Sequence, residues 1–565
     1  MKQHNLEIPV GKRTFAYRFL EMLPGIMSYG VVIIMIILSL ISPLWASVYL
    51  LILILMSLVK IVGISYHVLT GRRAMEAACQ VDWRHRLDQL EDPATALQKM
   101  ADHPSGDFGH RQHMRNLAMI AEHSADYPKP SVIYNAVIMP AYNEEFEVID
   151  PAVQALVDTT CDTSRLIVVF AYEERGGKGI AITAKKLQEK YAHHFHSFHL
   201  VRHPKDLPNE VIGKGGNITY AGRYLERYLQ KQHISLDQVI VTTMDCDNKP
   251  HPAYFDYLTY EYIVHKDRKR LSYQPIALFT NNIWDVPAPM RVIATGNSFW
   301  NIISSMRPHA LRNFASHAQP MDALVEMDYW SVRTIVEDGH QYWRSYFHFK
   351  GDYAVVPLYV PIYQDAVLSQ GYIKTLKAQF TQLRRWAYGA SDVAYVGVRV
   401  FARHRPVPFW PSFARFVRLL DGHVALAYTS VMIAFAAWIP LLVNAEAVRS
   451  IPAHQLPTTV SFLQSIAMIG IAVAIFSAFK ILPPRPARYK RRRTVGMLLQ
   501  WVLMPVMAIV YGSLSAYTSQ TRLLFGRYLD KFDVTEKTTV EMNDQAKAKA
   551  ARKRSKGDRG DESSS

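Results

Sequence analysis

Hydrophobic positions along this chain fall into two regimes: long uncharged runs near both ends, and short apolar runs between them. No residue from 22 to 59 is charged, about 38 positions in a row. Crossing a bilayer takes ~20 apolar residues, so this run accommodates two helices, with Ser42-Pro43 as the turn between them. Further apolar runs occupy 424–443, 459–479 and 495–520, the last interrupted by Pro505. In the middle, over 131–400, the apolar runs shorten to strand length: 132–139, 166–170, 238–243 and 271–278, each ending in polar or turn residues. Helical segments such as GGNITYAGRYLERYLQKQ lie between them. Strands alternating with helices predict βαβ units and a largely parallel sheet. In such sheets, ligands bind beyond the carboxyl ends of the strands.

The pattern divides the chain into an N-terminal segment with two transmembrane helices (1–63), a cytoplasmic helical linker (64–130) and an α/β domain (131–400). An interfacial helix (401–423), C-terminal transmembrane helices (424–525) and a basic disordered tail (526–565) follow. The linker is rich in His and Arg, and HPSGDFGH marks a loop in it. Lys2, Lys12, Arg13 and Arg18 precede the first span, and Arg72 and Arg73 follow the second. The positive-inside rule then puts the N-terminus and the α/β domain in the cytoplasm. Residues 401–420 mix Arg, Phe and Trp, as a helix lying in the membrane interface does. The link 444–458 carries one Arg and one Glu, whereas the next, PPRPARYKRRR, is intensely basic and belongs inside. The final run poses a conflict, because a single crossing would put the basic tail outside. Three readings stay open: the run enters and returns around Pro505, it lies within the interface, or the charge rule fails there.

Composition adds exclusions. The 565 residues are 49% hydrophobic and 20% charged, with a net charge of +16. Whole-chain disorder, collagen and coiled coil do not fit. The three cysteines, Cys79, Cys161 and Cys246, are widely spaced and odd in number, which excludes a disulfide scaffold and suits a reducing compartment. A cleavable signal peptide does not fit a first apolar run this long with a second span at once behind it. The positive charge clusters beside the spans and in the tail, so attraction to anionic lipid head groups explains it more simply than nucleic-acid binding does.

Four motifs carry chemistry. PAYNEE (140–145) follows a predicted strand and can present Tyr142 for base stacking and Asn143, Glu144 or Glu145 for hydrogen bonds; the bland alternative is a polar loop before a helix. DCD (Asp245, Cys246, Asp247) also ends a strand. Its two carboxylates can converge on a hard cation that bridges to substrate phosphates, or form a solvated acidic turn. VEDGH (336–340) offers a carboxylate as general base, or an acidic helix end. QLRRW (382–386) offers Arg donors for phosphate oxygens and a Trp face for a sugar ring, or an Arg stem packed on Trp in an amphipathic helix.

In this order and at these separations, the four motifs resemble glycosyltransferase family 2, and more closely its membrane-embedded polysaccharide synthases, such as cellulose, chitin and hyaluronan synthases. The family's hallmark is a D, DxD, (T)ED, QxxRW series. The match covers about residues 130–540, and Gln382, Arg385 and Trp386 are its most specific part. Glu337-Asp338 stands at the TED position with Val336 in place of Thr, and FDVTEK (532–537) resembles the FxVTxK that follows the last membrane helix of cellulose synthases. The resemblance implies a Rossmann-like GT-A domain on the cytoplasmic side, inserted between membrane helices. It implies Tyr142 and Glu144 at the nucleotide base, Mg2+ or Mn2+ on Asp245 and Asp247 at the diphosphate, and Asp338 as catalytic base of an inverting transfer. Gln382, Arg385 and Trp386 would contact diphosphate and acceptor sugar. Lys214, in IGKGGN, stands where the synthases carry a donor-reaching Lys. The family's Asp after the second strand, which faces uracil, is replaced here by FAYEERGG, with Glu173 or Glu174 in that place.

Two features remain. His193, His194, His196 and His199 read far better as a solvated strand edge than as a metal site, because no Cys or carboxylate completes one. Asp421 and His423 lie at the mouth of a span, where polar groups are functional candidates or reach the interface. The expected protein is a membrane-bound hexosyltransferase, in a bacterial inner (plasma) membrane, moving sugar from a nucleotide-diphosphate donor, UDP-linked by the resemblance, to a growing polysaccharide. Single-sugar transfer to a lipid-linked acceptor, or binding of nucleotide sugar or glycan without turnover, are the alternatives.

Overall fold

A computed structural model describes residues 6–101 and 106–529. The Thr14 hydroxyl accepts the Tyr17 N–H at 3.3 Å and starts the first long helix, Phe15–Ile41. Ser42 leaves helical geometry (φ −157°, ψ 112°), and Pro43 opens the next helix, Pro43–Cys79. Proline suits that place: its φ is already helical, and the first turn has no partner for the N–H it lacks. This helix passes unbroken through Arg72 and Arg73 into the segment read as a linker. The rest of that segment is a packed wall of the α/β domain. Trp83 stacks on Tyr257 with centroids 3.6 Å apart, and Leu87, Leu117 and Ile120 share one core with Val137 and Val168.

Among the described residues four helices are long and apolar enough to cross a membrane: Phe15–Ile41, Pro43–Cys79, Phe409–Val443 and Arg492–Leu524. The run 459–479 lies in a further helix, Ile451–Ile481, which packs along Pro43–Cys79. Phe409–Phe435 is one uninterrupted helix, so the Arg- and Phe-rich segment and the apolar run after it share a rod.

The last run does not turn back at Pro505. Helical backbone continues from Arg492 to Leu524, tightening to 3₁₀ over Gln500–Leu503 and widening to π over Ala508–Ser513. Such local changes of winding accommodate the hydrogen bond that proline cannot make. Both ends are tied to the α/β domain. Near one end, Arg493 donates to the Trp284 carbonyl at 2.8 Å and Arg291 to Gln500 at 2.5 Å. Near the other, Ser519 donates to the Arg384 carbonyl at 2.5 Å, and Leu523 packs with Tyr388. The tail and FDVTEK lie outside the described residues.

The middle of the chain folds into one sheet: β1 (Tyr134–Ala141), β2 (Leu166–Glu173), β3 (Ser197–His203), β4 (Val239–Thr243), β5 (Lys249–Pro250), β6 (Leu271–Leu278), β7 (Ala318–Pro320) and β8 (Ala354–Tyr363). Their order is β3-β2-β1-β4-β7-β6-β8-β5. Only β7 and β5 run against the other strands. The apolar runs become β1, β2, β4 and β6, buried on both faces. β7 and β8 carry no comparable signal: β7 is three residues long, and β8 contains Pro357 and Pro361, which remove ladder donors. The His-rich stretch leads into β3, the edge of the sheet. Its histidines do not converge on one point: the His193 and His194 rings lie 4.0 Å apart, His196 meets the Ser164 carbonyl (3.0 Å) and His199 the Tyr224 hydroxyl (3.1 Å).

Candidate active site

The ends of β1, β2 and β4 open onto a cavity of about 1620 Å³. Tyr142, Glu144, Lys214, Asp245, Asp247, Asp338, Gln382, Arg385 and Trp386 all line it. Five separate stretches of chain deliver these nine side chains, and each does so for a local reason.

At β1, the Glu144 carboxylate accepts the N–H groups of Tyr142 (2.7 Å) and Asn143 (3.2 Å). It fastens the loop that shows Tyr142 to the cavity. The turn after β2 packs hard against this loop: a β-carbon on Gly176 would lie 1.6 Å from the Tyr142 carbonyl oxygen. Glu173, at the end of β2, is buried and bound by Arg175 at 2.7 Å and by His203 at 3.2 Å. Glu174 turns outward to Arg202 at 2.6 Å. Of the two glutamates in FAYEERGG, Glu173 is therefore the one on the cavity wall. His203 also meets Glu210 at 3.1 Å. Burial opposes charge on His203, but hydrogen bonds to the two glutamates outweigh it and raise its pKa to about 9.

Lys214 opens the helix Lys214–Lys231 and forms the hub of the site. Its ammonium lies 2.9 Å from Asp245, 3.0 Å from Asp338 and 3.9 Å from Glu337. Burial alone would lower the Lys214 pKa, yet these three carboxylates hold it above its usual value. Glu337 and Asp338 fall in the first turn of the helix Glu337–His348, where the helix dipole favours carboxylates. Burial and the adjacent Asp338 charge push the Glu337 carboxyl up. Asp338 stays partly open, with its side chain 19% exposed.

His317 is a neighbour that no motif announced. It is buried, 3.7 Å from Asp338, and burial lowers its pKa. Its Nδ1 lies 2.9 Å from the Phe314 carbonyl and its Nε2 3.3 Å from the Trp330 indole N–H. That network fits a neutral ring whose proton is committed to the carbonyl. Arg175 and Glu210 were also silent in the sequence; the one hint was the pair of glycines behind FAYEER, which allow the close approach to Tyr142.

QLRRW closes the helix Tyr372–Ala387. Gln379 donates to Gln382 at 3.1 Å, and Trp386 faces Phe279 with centroids 6.0 Å apart. Arg385 is close enough to act on the charge of Glu337. Asp421 pairs with Lys60 at 3.2 Å, and both line the membrane-side part of the same cavity together with His423.

Among the described residues no group of three His, Cys, Asp or Glu side chains is placed to hold a metal ion. Two strand-end carboxylates, Asp245 and Asp247, nonetheless suit a hard cation that takes its remaining ligands from substrate phosphates and water.

No family model matches the chain, and no curated protein matches it. Among solved structures it is similar to the mannosyltransferase PcManGT from Pyrobaculum calidifontis in complex with GDP-Man and Mn2+, at 16% identity and a TM-score of 0.37, over 78% of this chain and 100% of that one. It is also similar to S. aureus TarS 1-349 in complex with UDP-GlcNAc, at 13% identity and a TM-score of 0.31, over 70% of this chain and 93% of that one. Likeness at this level carries no weight for activity, so the function is drawn from the cavity itself.

Proposed function

We propose that this protein is a membrane-bound inverting glycosyltransferase of GT-A type that takes a sugar from a nucleotide-diphosphate donor. One observation carries the reading: nine candidate residues, from Tyr142 to Trp386, line a single cavity that continues from the strand ends of the sheet to the membrane-type helices. A site for a polar nucleotide sugar and a route for a membrane-side acceptor are thereby joined.

The donor's base lies toward Tyr142 and Glu173, and its diphosphate toward Lys214, Asp245 and Arg385. Asp338 takes the proton of an acceptor hydroxyl. That oxygen bonds to the anomeric carbon from the face opposite the diphosphate, and the bond from that carbon to the phosphate oxygen breaks. The nucleoside diphosphate leaves with the bonding electron pair. Lys214, 3.0 Å from Asp338, positions its carboxyl group for that step. Asp245 and Asp247 would hold Mg2+ or Mn2+, which offsets charge on the departing diphosphate. Gln382 and Trp386 position the acceptor. The α/β domain lies in the cytoplasm of a bacterial cell, where nucleotide sugars are made. The long helix Arg492–Leu524, tied at both ends to that domain, lies along the membrane boundary instead of crossing it, which keeps the basic tail inside.

Purified protein in nanodiscs, screened with nucleotide sugars and Mg2+ or Mn2+, tests the reading. Wild type should release nucleoside diphosphate, while Asp338→Asn should bind donor without turning it over. A wild-type protein inert toward every donor, slow hydrolysis included, would overturn it. The resemblance to polysaccharide synthases points to a polymer product. The apolar lining of the membrane-side cavity favours the second reading, single transfer to a lipid-linked acceptor.

A further inference from the structure

Cationic and apolar side chains share the membrane-side part of the cavity. Arg307, Arg312, Arg415 and Arg418 line this part, with the Lys60–Asp421 pair beside them. Among the described residues none of the four arginines has a carboxylate within ion-pair distance; Arg312 feels the charge of Asp392 and of Arg418, and the hydrogen bonds of Arg415 and Arg418 go to neutral groups. Arg415 donates to the Tyr342 hydroxyl at 3.3 Å and lies 4.9 Å from the Tyr346 ring centroid. Arg418 donates to the His309 carbonyl at 3.4 Å, and Arg312 lies 5.9 Å from the Trp343 ring centroid. Arg307 comes up against Gly63 of the helix Pro43–Cys79. Against these four guanidinium groups, Asp392, which acts electrostatically on Arg312, and the Lys60-paired Asp421 supply less negative charge than the arginines supply positive, so an anion joining them is favoured. The planar fork of Arg matches phosphate oxygens.

Apolar side chains share this lining: Ile64 and Val68 from one helix, Leu426 about two turns past Arg418 on another, and Met504 and Met507 from the last. The ring of arginines reaches the candidate base along a single helix. Tyr342, which holds Arg415, is four residues after Asp338 on Glu337–His348, a rise of about 6 Å. That separation leaves room for one sugar between an anion on the arginines and the Asp338 carboxylate.

We infer that the arginine ring binds the phosphate or diphosphate of a lipid-linked acceptor, with its hydrocarbon tail along the apolar wall and its sugar hydroxyl turned toward Asp338. This assignment rests on the glycosyltransferase reading for the role of the lipid, but its binding chemistry stands on the ring alone. The full-length protein in uncharged nanodiscs is titrated with a long-chain alkyl monophosphate, the matching alkyl alcohol and inorganic phosphate, each followed by thermophoresis. The alkyl phosphate should bind at least tenfold more tightly than either fragment. Arg307→Gln with Arg418→Gln, both away from the tightly packed core, should remove that preference, and Arg307→Lys with Arg418→Lys should restore most of it. Equal binding of the alcohol would show a purely apolar groove. Equal binding of inorganic phosphate would show a free-anion site, and an unchanged preference in the Gln variant would place the phosphate elsewhere; each of the three overturns the proposal. Because binding is read without turnover, loss of the lipid preference in a protein that turns over donor rejects this inference alone. An inert protein that keeps the preference rejects only the transferase reading.

Discussion

The two ends of the cavity handle charge in opposite ways. At the sheet end the central charges have opposite partners: Lys214 sits among Asp245, Asp338 and Glu337, and Glu173 sits between Arg175 and His203. At the membrane end Arg307, Arg312, Arg415 and Arg418 have no carboxylate within ion-pair distance among the described residues, and Asp392 acts on Arg312 only from further off. A network of paired charges keeps its geometry before any ligand arrives, because its members hold one another. A cluster with an excess of like charge gains from an anion that joins it. The first arrangement suits chemistry that demands fixed distances, and the second suits capture of a charged head group.

The largest effect that separates the two ends is expected from Asp338→Asn. Removing a general base costs about 10²–10⁴-fold in rate, so turnover should fall by at least about 10²-fold while calorimetry shows donor binding nearly unchanged. Equal losses of binding and turnover would mean that Asp338 only holds the site together.

Lys214→Met comes next. It leaves three carboxylates facing one another in a partly closed site, and breaking a buried pair typically costs about 3–5 kcal/mol. Chemical denaturation should show a loss of roughly 3 kcal/mol. An unchanged midpoint would show that water already screens the hub.

The His203 network should make stability depend on alkaline pH. Its folded pKa of about 9 lies above the ordinary value of 6.5. The contribution is therefore complete below about pH 6.5 and disappears as pH rises through 9, a total on the order of 3 kcal/mol. Melting temperatures at pH 6, 8 and 10 should fall more steeply for wild type than for His203→Gln; parallel slopes would remove His203 as the cause.

The most local effect is expected at Gly176. A methyl group there would lie 1.6 Å from the Tyr142 carbonyl oxygen, so the loop itself must shift, at a cost of at least about 1–3 kcal/mol. Gly176→Ala should weaken donor binding by about tenfold and leave the lipid preference intact. A matching loss at the lipid end would show that the two ends are coupled.

Legibility in the sequence followed the same divide. PAYNEE, DCD and VEDGH sit directly after a strand or in the first turn of a helix, and such places are set by local pattern. Glu173 was visible only as one of two adjacent glutamates, and it took the register of β2 to turn one inward and the other out. Each arginine of the membrane-side ring, taken alone, reads as an ordinary interfacial charge. Arg307 and Arg418 are 111 positions apart in the sequence, and no local rule brings them to one wall. β7 and β8 escaped because three residues, or a run with two prolines, carry too little periodicity.

The final apolar run shows the limit most clearly. Its length and composition announced a membrane-active helix, and its flanking charges opposed a single crossing. Its path was decided by contacts at its ends, Arg493 with Trp284 and Ser519 with Arg384, which pin both to one domain. The sequence by itself determined the apolar helices, the strand-and-helix alternation and the chemistry-bearing loops, because these rest on periodicity and on residue types within a few positions. Only the tertiary structure decided which of two adjacent glutamates faces the cavity, that nine scattered residues share it, and that four arginines meet at its far end. Those outcomes depend on packing between segments hundreds of residues apart, which no local pattern encodes.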